Sequence, residues 1–218
     1  MKEKIKVAPS ILSADFANLK DEVIKVEKSL SDAIHLDIMD GHFVPNLTMG
    51  PKVVAAINRT TDMFLDVHLM IYNPFDYIEK FVEAGADLIT FHFEATEDVE
   101  DTINYIKKCG VKAGLAFNPE TAFSMATKYL EKCDLVLFMS VHPGFGGKKF
   151  IPSVLEKIKL AKNLKEDMSL KYDIQVDGGI NLETGSRCKK MGANFLVAGT
   201  YLFGEKDMKK AVLDLKNC

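Results

Sequence analysis

A chain of 218 residues with 47% apolar and 27% charged side chains can bury one large core, and nothing in that balance points to disorder. Its net charge of -3 comes from interspersed signs, which leaves no basic face for nucleic acid. The charged start, Met1-Lys2-Glu3-Lys4-Ile5-Lys6, precedes only a short apolar run interrupted by proline, so neither a signal peptide nor a membrane span fits and a cytoplasmic protein with no membrane partner is expected.

Taken in order, short apolar runs alternate with stretches of helical period. The strand candidates are 5-12, 33-39, 63-70, 88-94, 111-117, 135-141, 172-177 and 194-199. Between and after them lie amphipathic stretches at 16-30, 51-59, 74-85, 97-109, 120-132, 153-166, 182-191 and 206-216; the lysines of 157-165 read as a solvated helix face. Near-continuous apolar strands separated by helices are parallel strands covered by helices. Eight such units without a linker predict an α/β chain folded as one (β/α)8 barrel over residues 1-218, with a doubly wound open sheet as the weaker alternative. Cys109, Cys133, Cys188 and Cys218 are widely spaced and contain no C-x-x-C, which fits reduced structural thiols.

In such a barrel, chemistry gathers where strands end and the following loops begin. After the first strand comes Pro9-Ser10, a hydroxyl at the mouth. The second strand is unusual: His35, Asp37 and Met39 share one face while Ile34, Leu36 and Ile38 share the other. If the aliphatic face packs on helices, an imidazole and a carboxylate point inward, and a buried carboxylate must find a cation, a metal ion or several donors. In the third strand Asp66, His68 and Met70 alternate in the same way. His92 in the fourth reads as a histidine packed within the barrel top. The seventh strand ends in Asp177-Gly178-Gly179, and the second strand faces the sixth and seventh across an eight-stranded ring, so Asp37 and Asp177 can face each other across a bound molecule. Two carboxylates and two histidines at one mouth suit Zn2+, Fe2+, Mn2+ or Co2+ better than a soft thiolate metal; two separate ion pairs without metal are the competing arrangement.

Three glycine turns follow the last three strands: Pro143-Gly144-Phe145-Gly146-Gly147, Gly178-Gly179 and Gly199-Thr200. The loops after strands seven and eight form the usual phosphate cup of barrel enzymes, where backbone N-H groups bind without lysine or arginine. The loop 41-50 is too apolar for a solvated turn and either covers the mouth or packs on the helix layer. Met39, Met70 and Met139 either line the site or fill core.

These residues carry a family likeness. Ala8-Pro9-Ser10-Ile11-Leu12, the run from His35-Leu36-Asp37-Ile38-Met39-Asp40-Gly41 through Asn46, Asp66-Val67-His68-Leu69-Met70, Pro143 to Gly147, Val176-Asp177-Gly178-Gly179-Ile180 and Val197-Ala198-Gly199 together resemble the ribulose-phosphate 3-epimerase family nearly end to end and in the right order. The resemblance implies a barrel of the ribulose-phosphate-binding type and one divalent metal ion held by His35, Asp37, His68 and Asp177. It implies that Asp37 and Asp177 act as an acid/base pair, epimerising D-ribulose 5-phosphate at C3 to D-xylulose 5-phosphate through an enediolate. It further implies sugar contacts from Ser10 and His68, phosphate held by backbone around Gly146, Gly179, Gly199 and Thr200, with Gly144, Phe145, Gly147 and Gly178 in the same substrate loops, and a homo-oligomer, since the family forms dimers and hexamers. Inverting a carbon beside a ketone needs a proton removed from one face and returned to the other, which agrees with two carboxylates.

Three positions depart from the family pattern. His142 stands where Asn, Glu or Asp is commoner, Lys148 where Gln is usual, and Thr200 where Ser is commoner. The first two flank the loop after strand six, so a hexulose substrate, as in allulose-6-phosphate 3-epimerase, is the rival reading. A non-catalytic phosphosugar-binding barrel would be expected to lose one of the four site residues. The related decarboxylase and synthase barrels use an Asp-x-Lys-x-x-Asp motif, and here Met39 fills the lysine position.

Overall fold

The register of one strand pair determines where the polar side chains go. In the computed structural model, which describes residues 4-218, β2 (Ile34–Met39) runs parallel to β3 (Leu65–Met70) with His35 beside Asp66, Asp37 beside His68 and Met39 beside Met70. Residues 1-3 of the charged start lie outside the described residues. Around these two strands the sheet continues through β1 (Lys6–Pro9), β4 (Leu88–His92), β5 (Lys112–Phe117), β6 (Leu135–Met139), β7 (Asp173–Asp177) and β8 (Phe195–Ala198). All pairs are parallel, in the order β1-β8-β7-β6-β5-β4-β3-β2, and a parallel bridge between Ser10 and His35 joins the two ends into a barrel.

Helices cover the outside: α1 (Leu19–Lys28), α2 (Pro51–Asn58), α3 (Ile78–Glu83), α4 (Val99–Lys108), α5 (Val154–Asp167), α6 (Leu182–Met191), α7 (Thr200–Gly204) and α8 (Met208–Asn217). The outward side chains of β2, namely Ile34, Leu36 and Ile38, join the main core between sheet and helices, each buried aliphatic contributing about 1.5–3 kcal/mol. Ala33, Leu88, Leu135, Leu137, Phe195 and Val197 form a second apolar cluster, to which the inward faces of the strands contribute. The predicted alternation therefore holds, and the polar groups of β2 and β3 are left inside.

Two elements differ from the expectation. The stretch at 120-132 is a 3-10 helix over Phe123–Lys132 rather than an α-helix. Its buried Phe123, Tyr129, Leu130 and Cys133 include separations of six and three residues, whole turns at about 3.0 residues per turn. The turn after β8 is the short helix α7, whose five residues carry too little period to be recognised in sequence. The four cysteines are free, and burial pushes the thiols of Cys133 and Cys188 up to about 12, as inert structural thiols require. No helix among the described residues is long and apolar enough to cross a membrane.

Candidate active site

His35, Asp37, His68 and Asp177 converge inside the mouth, each offering one ligand atom and all these atoms lying within 4.8 Å of one another. The register explains the proximity: Asp37 and His68 are side by side and both inward, so His68 Nδ1 is 3.1 Å from Asp37 Oδ1. His35, two residues earlier on the same face, places Nε2 3.3 Å from Asp37 Oδ1 and 4.0 Å from Asp177 Oδ2. Three of the four are almost fully buried and Asp177 is half-buried.

Among the buried side-chain atoms without a hydrogen bond, one lies at the centre of the cluster. His35 Nε2 is buried and unpartnered, while its Nδ1 lies 2.8 Å from Asp66 Oδ2. A carboxylate beside Nδ1 holds a proton there, so that Nε2, once deprotonated, turns a lone pair toward the two aspartates, the arrangement of a metal-ligating imidazole. The group could hold a divalent ion, and two imidazoles with two carboxylates form a borderline donor set.

The electrostatics separate the two carboxyls. Burial raises Asp37, but the charge of His35 and the close contacts with His35 and His68 more than offset it, holding the group far below the ordinary carboxyl range. Asp177 is pushed up to about 7 by burial and then by the Asp37 charge, with His35 opposing. Burial lowers His35, yet the charges of Asp66 and Asp37 outweigh that and raise it well above 6.5. Burial lowers His68 to about 4 against the contact with the Asp37 carboxylate, with His92 adding to the fall. Without metal, the cluster is thus an ionised Asp37 beside a protonated His35, with a proton retained on Asp177 until near neutrality.

An outer layer supports the four. Ser10 donates its hydroxyl to Asp37 Oδ2 at 2.5 Å. Gln175 Nε2 donates to Asp66 Oδ2 at 2.5 Å, so Asp66 is held from a second side. His92 is buried in the barrel top, and its Nε2 lies 2.9 Å from His68 Nε2. Glu94 lies beyond it, in the turn after β4, and burial raises this carboxyl less than the hydrogen bonds from His92, Thr121 and the Asn118 amide lower it.

Above the cluster a cavity of about 450 Å3 is lined by Ser10, Asp37, Asp177, residues 143-150, Gly178, Gly179, Gly199 and Thr200. Met39, Met70 and Met139 also line it, and Met39 and Met70 pack with Val44 and Phe43, so they form an apolar wall and core at once. The glycines are required by close approach: at Gly179, φ is +64° and a Cβ would sit 2.8 Å from the Phe150 amide, while at Gly199 it would sit 2.5 Å from Ser13 Oγ. The loop carrying Gly178 and Gly179 is fixed by the capping box of α6. Asn181 accepts from the Thr184 amide, and the Thr184 hydroxyl donates to the Gly179 carbonyl at 2.9 Å. The loop 41-50 leans over the mouth: Phe43 packs against the His92 ring and Asn46 Nδ2 donates to the Gly144 carbonyl at 2.7 Å. His142 is not among the residues lining the cavity, whereas Lys148 is. His142 pairs with Glu120 at 3.2 Å on the surface, and Lys148 folds back to donate to the His142 carbonyl at 3.0 Å.

A model of the Ribulose-phosphate 3 epimerase family matches residues 6–203. The chain belongs to that family. The ribulose-phosphate 3-epimerase of Chlamydia trachomatis is 51% identical over 220 residues, covering 99% of this chain and 94% of that one. The ribulose-phosphate 3-epimerase of Bacillus subtilis is 51% identical over 213 residues, covering 97% and 98%. A solved mutant tryptophan synthase alpha-subunit from Pyrococcus furiosus matches with a TM-score of 0.73 at 17% identity over all of both chains, a likeness of barrel fold alone. The protein is accordingly an isomerase of the epimerase kind.

For this epimerase, sequence reasoning brought the four cluster residues to one mouth, and the cavity above them is lined by Asp37, Asp177 and the three glycine turns. It gave no role to Ser13, whose hydroxyl lies 3.5 Å from that of Thr200, nor to Gln175, Asp66 and Glu94, which hold the cluster from outside. The signal available for Asp66 was its pairing with His35 across strands; for Glu94 there was none, since acidic residues after strands are common.

Proposed function

We propose that this epimerase inverts C3 of D-ribulose 5-phosphate to give D-xylulose 5-phosphate, with Asp37 and Asp177 exchanging the proton from opposite faces. The observation that carries the reading is the convergence of two carboxyls and two imidazoles in one mouth, their ligand atoms all within 4.8 Å of one another, with His35 favouring the ionised form of Asp37 and burial the protonated form of Asp177. An acid and a base of this kind are what a two-sided proton transfer requires. Asp37, ionised and steadied by Ser10, removes the C3 proton, and Asp177, protonated, returns one to the other face; in the reverse direction the two exchange roles. A divalent ion, Zn2+, Fe2+, Mn2+ or Co2+, held by His35, Asp37, His68 and Asp177 supplies a Lewis acid that draws off the charge developing beside C3. Asp66, backed by Gln175, keeps the lone pair of His35 Nε2 turned toward the centre.

The backbone amides around Gly146, Gly179, Gly199 and Thr200 hold the phosphate, with Gly144, Phe145, Gly147 and Gly178 completing the loops and Ser10 and His68 contacting the sugar. The glycines support this by leaving the backbone bare where a Cβ would strike Phe150 or Ser13. The methionine wall keeps water from the reacting carbon. The whole barrel, residues 1-218, is the catalytic unit, working in the cytoplasm as a homo-oligomer, and the four free thiols fit a reducing compartment.

Proton NMR of ribulose 5-phosphate in D2O with metal-loaded protein tests this reading. Loss of the C3 proton signal with growth of xylulose 5-phosphate is the expected result. Faster exchange with allulose 6-phosphate would change the substrate and direct attention to His142 and Lys148; no exchange with either sugar would overturn the reading.

A further inference from the structure

The proton transfer described above gives His92 and Glu94 no part, yet they continue the site outward in an unbroken line. His68 turns Nδ1 toward Asp37 and Nε2 toward His92 Nε2 at 2.9 Å, the two rings stacked at 25° with centroids 5.0 Å apart. On the far side, His92 Nδ1 lies 3.2 Å from Glu94 Oε2. Glu94 Oε1 is already taken, accepting from the Asn118 amide at 2.8 Å and from the Thr121 hydroxyl. That loop is itself tied down by Lys157 of α5, whose ammonium donates to the carbonyls of Asn118, Pro119 and Thr121.

A line of donors and acceptors anchored at one end has a direction. A carboxylate only accepts, so the contact with Glu94 Oε2 places a proton on His92 Nδ1. A neutral imidazole protonated at Nδ1 is bare at Nε2, so His92 Nε2 accepts and His68 Nε2 donates. His68 Nδ1 is then a lone pair facing Asp37 Oδ1 at 3.1 Å. Two acceptors at that distance repel unless a cation lies between them. The opposite direction would put a proton on His68 Nδ1, occupying the lone pair that a metal needs.

We propose that His92 and Glu94 are positioning residues of the metal centre, fixing the tautomer of His68 so that Nδ1 is free to bind the ion. The proposal rests on the metal-site reading above and assigns to these two residues the task that Asp66 performs for His35. Outer partners of ligating histidines are typically worth about 10- to 100-fold in metal affinity.

The test combines Zn2+ competition against a chelator with 15N NMR of the histidine rings in the Zn2+-loaded full chain. In the wild type, His92 is expected to carry its proton on Nδ1, the less common form of a free imidazole. His92→Leu should bind Zn2+ about 10- to 100-fold more weakly. His92→Gln, whose amide oxygen accepts from His68 Nε2, should stay close to wild type, a rescue that a merely space-filling role would not produce. A wild-type His92 protonated at Nε2, or wild-type affinity in His92→Leu, would overturn the relay while leaving the metal reading intact. The NMR result on the wild type decides the matter even if His92→Leu does not fold. Failure of the wild type to take up Zn2+ would instead remove the metal reading and the relay with it.

Discussion

Asp37 and His68 occupy paired positions on adjacent parallel strands, and this pairing brings a carboxylate oxygen and an imidazole nitrogen to 3.1 Å inside the barrel mouth. With His35 and Asp177 beside them, the metal-free protein holds more charge there than it can balance without retaining protons.

That excess has a signed consequence for stability. The folded pKa of Asp177, about 7, lies above the usual 3.8, so the folded chain keeps a proton that the unfolded chain releases. Its effect is therefore a loss of stability as pH rises from about 4 to about 7. His35, raised above 6.5, contributes stability that is full below that value and is lost as pH rises through its folded pKa. Asp37 has the opposite sign, but its window lies at strongly acid pH. A metal needs the lone pair of His35 Nε2, whose proton must leave, so bound Zn2+ should raise Tm more at about pH 8 than at about pH 5.5. Thermal melts with and without Zn2+ at both pH values check this; equal increments would contradict it.

Asp177→Asn should separate stability from function. A neutral amide removes the buried carboxyl that must ionise near neutrality, so the metal-free variant should melt higher than wild type at about pH 8 and lose that advantage at about pH 5. Proton exchange at C3 should meanwhile fall by at least about 10²-fold, the usual scale for losing a general acid or base. Near-normal exchange in a folded variant would exclude Asp177 from the proton transfer.

The fold and the inner site were legible because both depend on periodicity. Ionisable groups at 35, 37, 66 and 68 fall on the inward face by alternation, and the outward Ile34, Leu36 and Ile38 leave no other placement once helices cover the barrel. The supporting contacts were not legible. Glu94 reaches His92 only because the turn after β4 folds into a 3-10 helix over Phe93–Ala95. Gln175 meets Asp66 across the barrel interior, 109 residues apart in sequence, and no local pattern encodes that meeting. The 3-10 winding of Phe123–Lys132 escaped because apolar residues three apart fall near one face at either helical pitch.

Gly179→Ala tests the phosphate cup. The residue sits at φ +64°, and an added Cβ would lie 2.8 Å from the Phe150 amide and 3.0 Å from the Lys148 carbonyl, backbone atoms that cannot swing aside. A left-handed alanine costs about 1–3 kcal/mol, and the approach of the loops would widen as well. Titration with inorganic phosphate should show affinity weakened about tenfold or more, while Zn2+ affinity stays at the wild-type level. Unchanged phosphate affinity would remove Gly179 from the cup.

Asn46→Ala tests whether the loop after β2 supports the loop after β6. Asn46 Nδ2 donates to the Gly144 carbonyl at 2.7 Å, across 98 residues of sequence, and its Oδ1 accepts from the Leu47 amide at 2.9 Å. The link joins loops that approach the cavity from opposite sides, and Gly144, at φ +116°, is itself packed near Val44 and Pro45. A typical hydrogen bond nets about 1 kcal/mol, so its loss should raise KM for the phosphosugar about fivefold with kcat little changed, since no group of the metal cluster moves. Steady-state kinetics separate the outcomes. A fall in kcat at constant KM would mean that Asn46 acts on the reacting centre, and no change in either constant would mean that the loop after β6 holds its position without this bond.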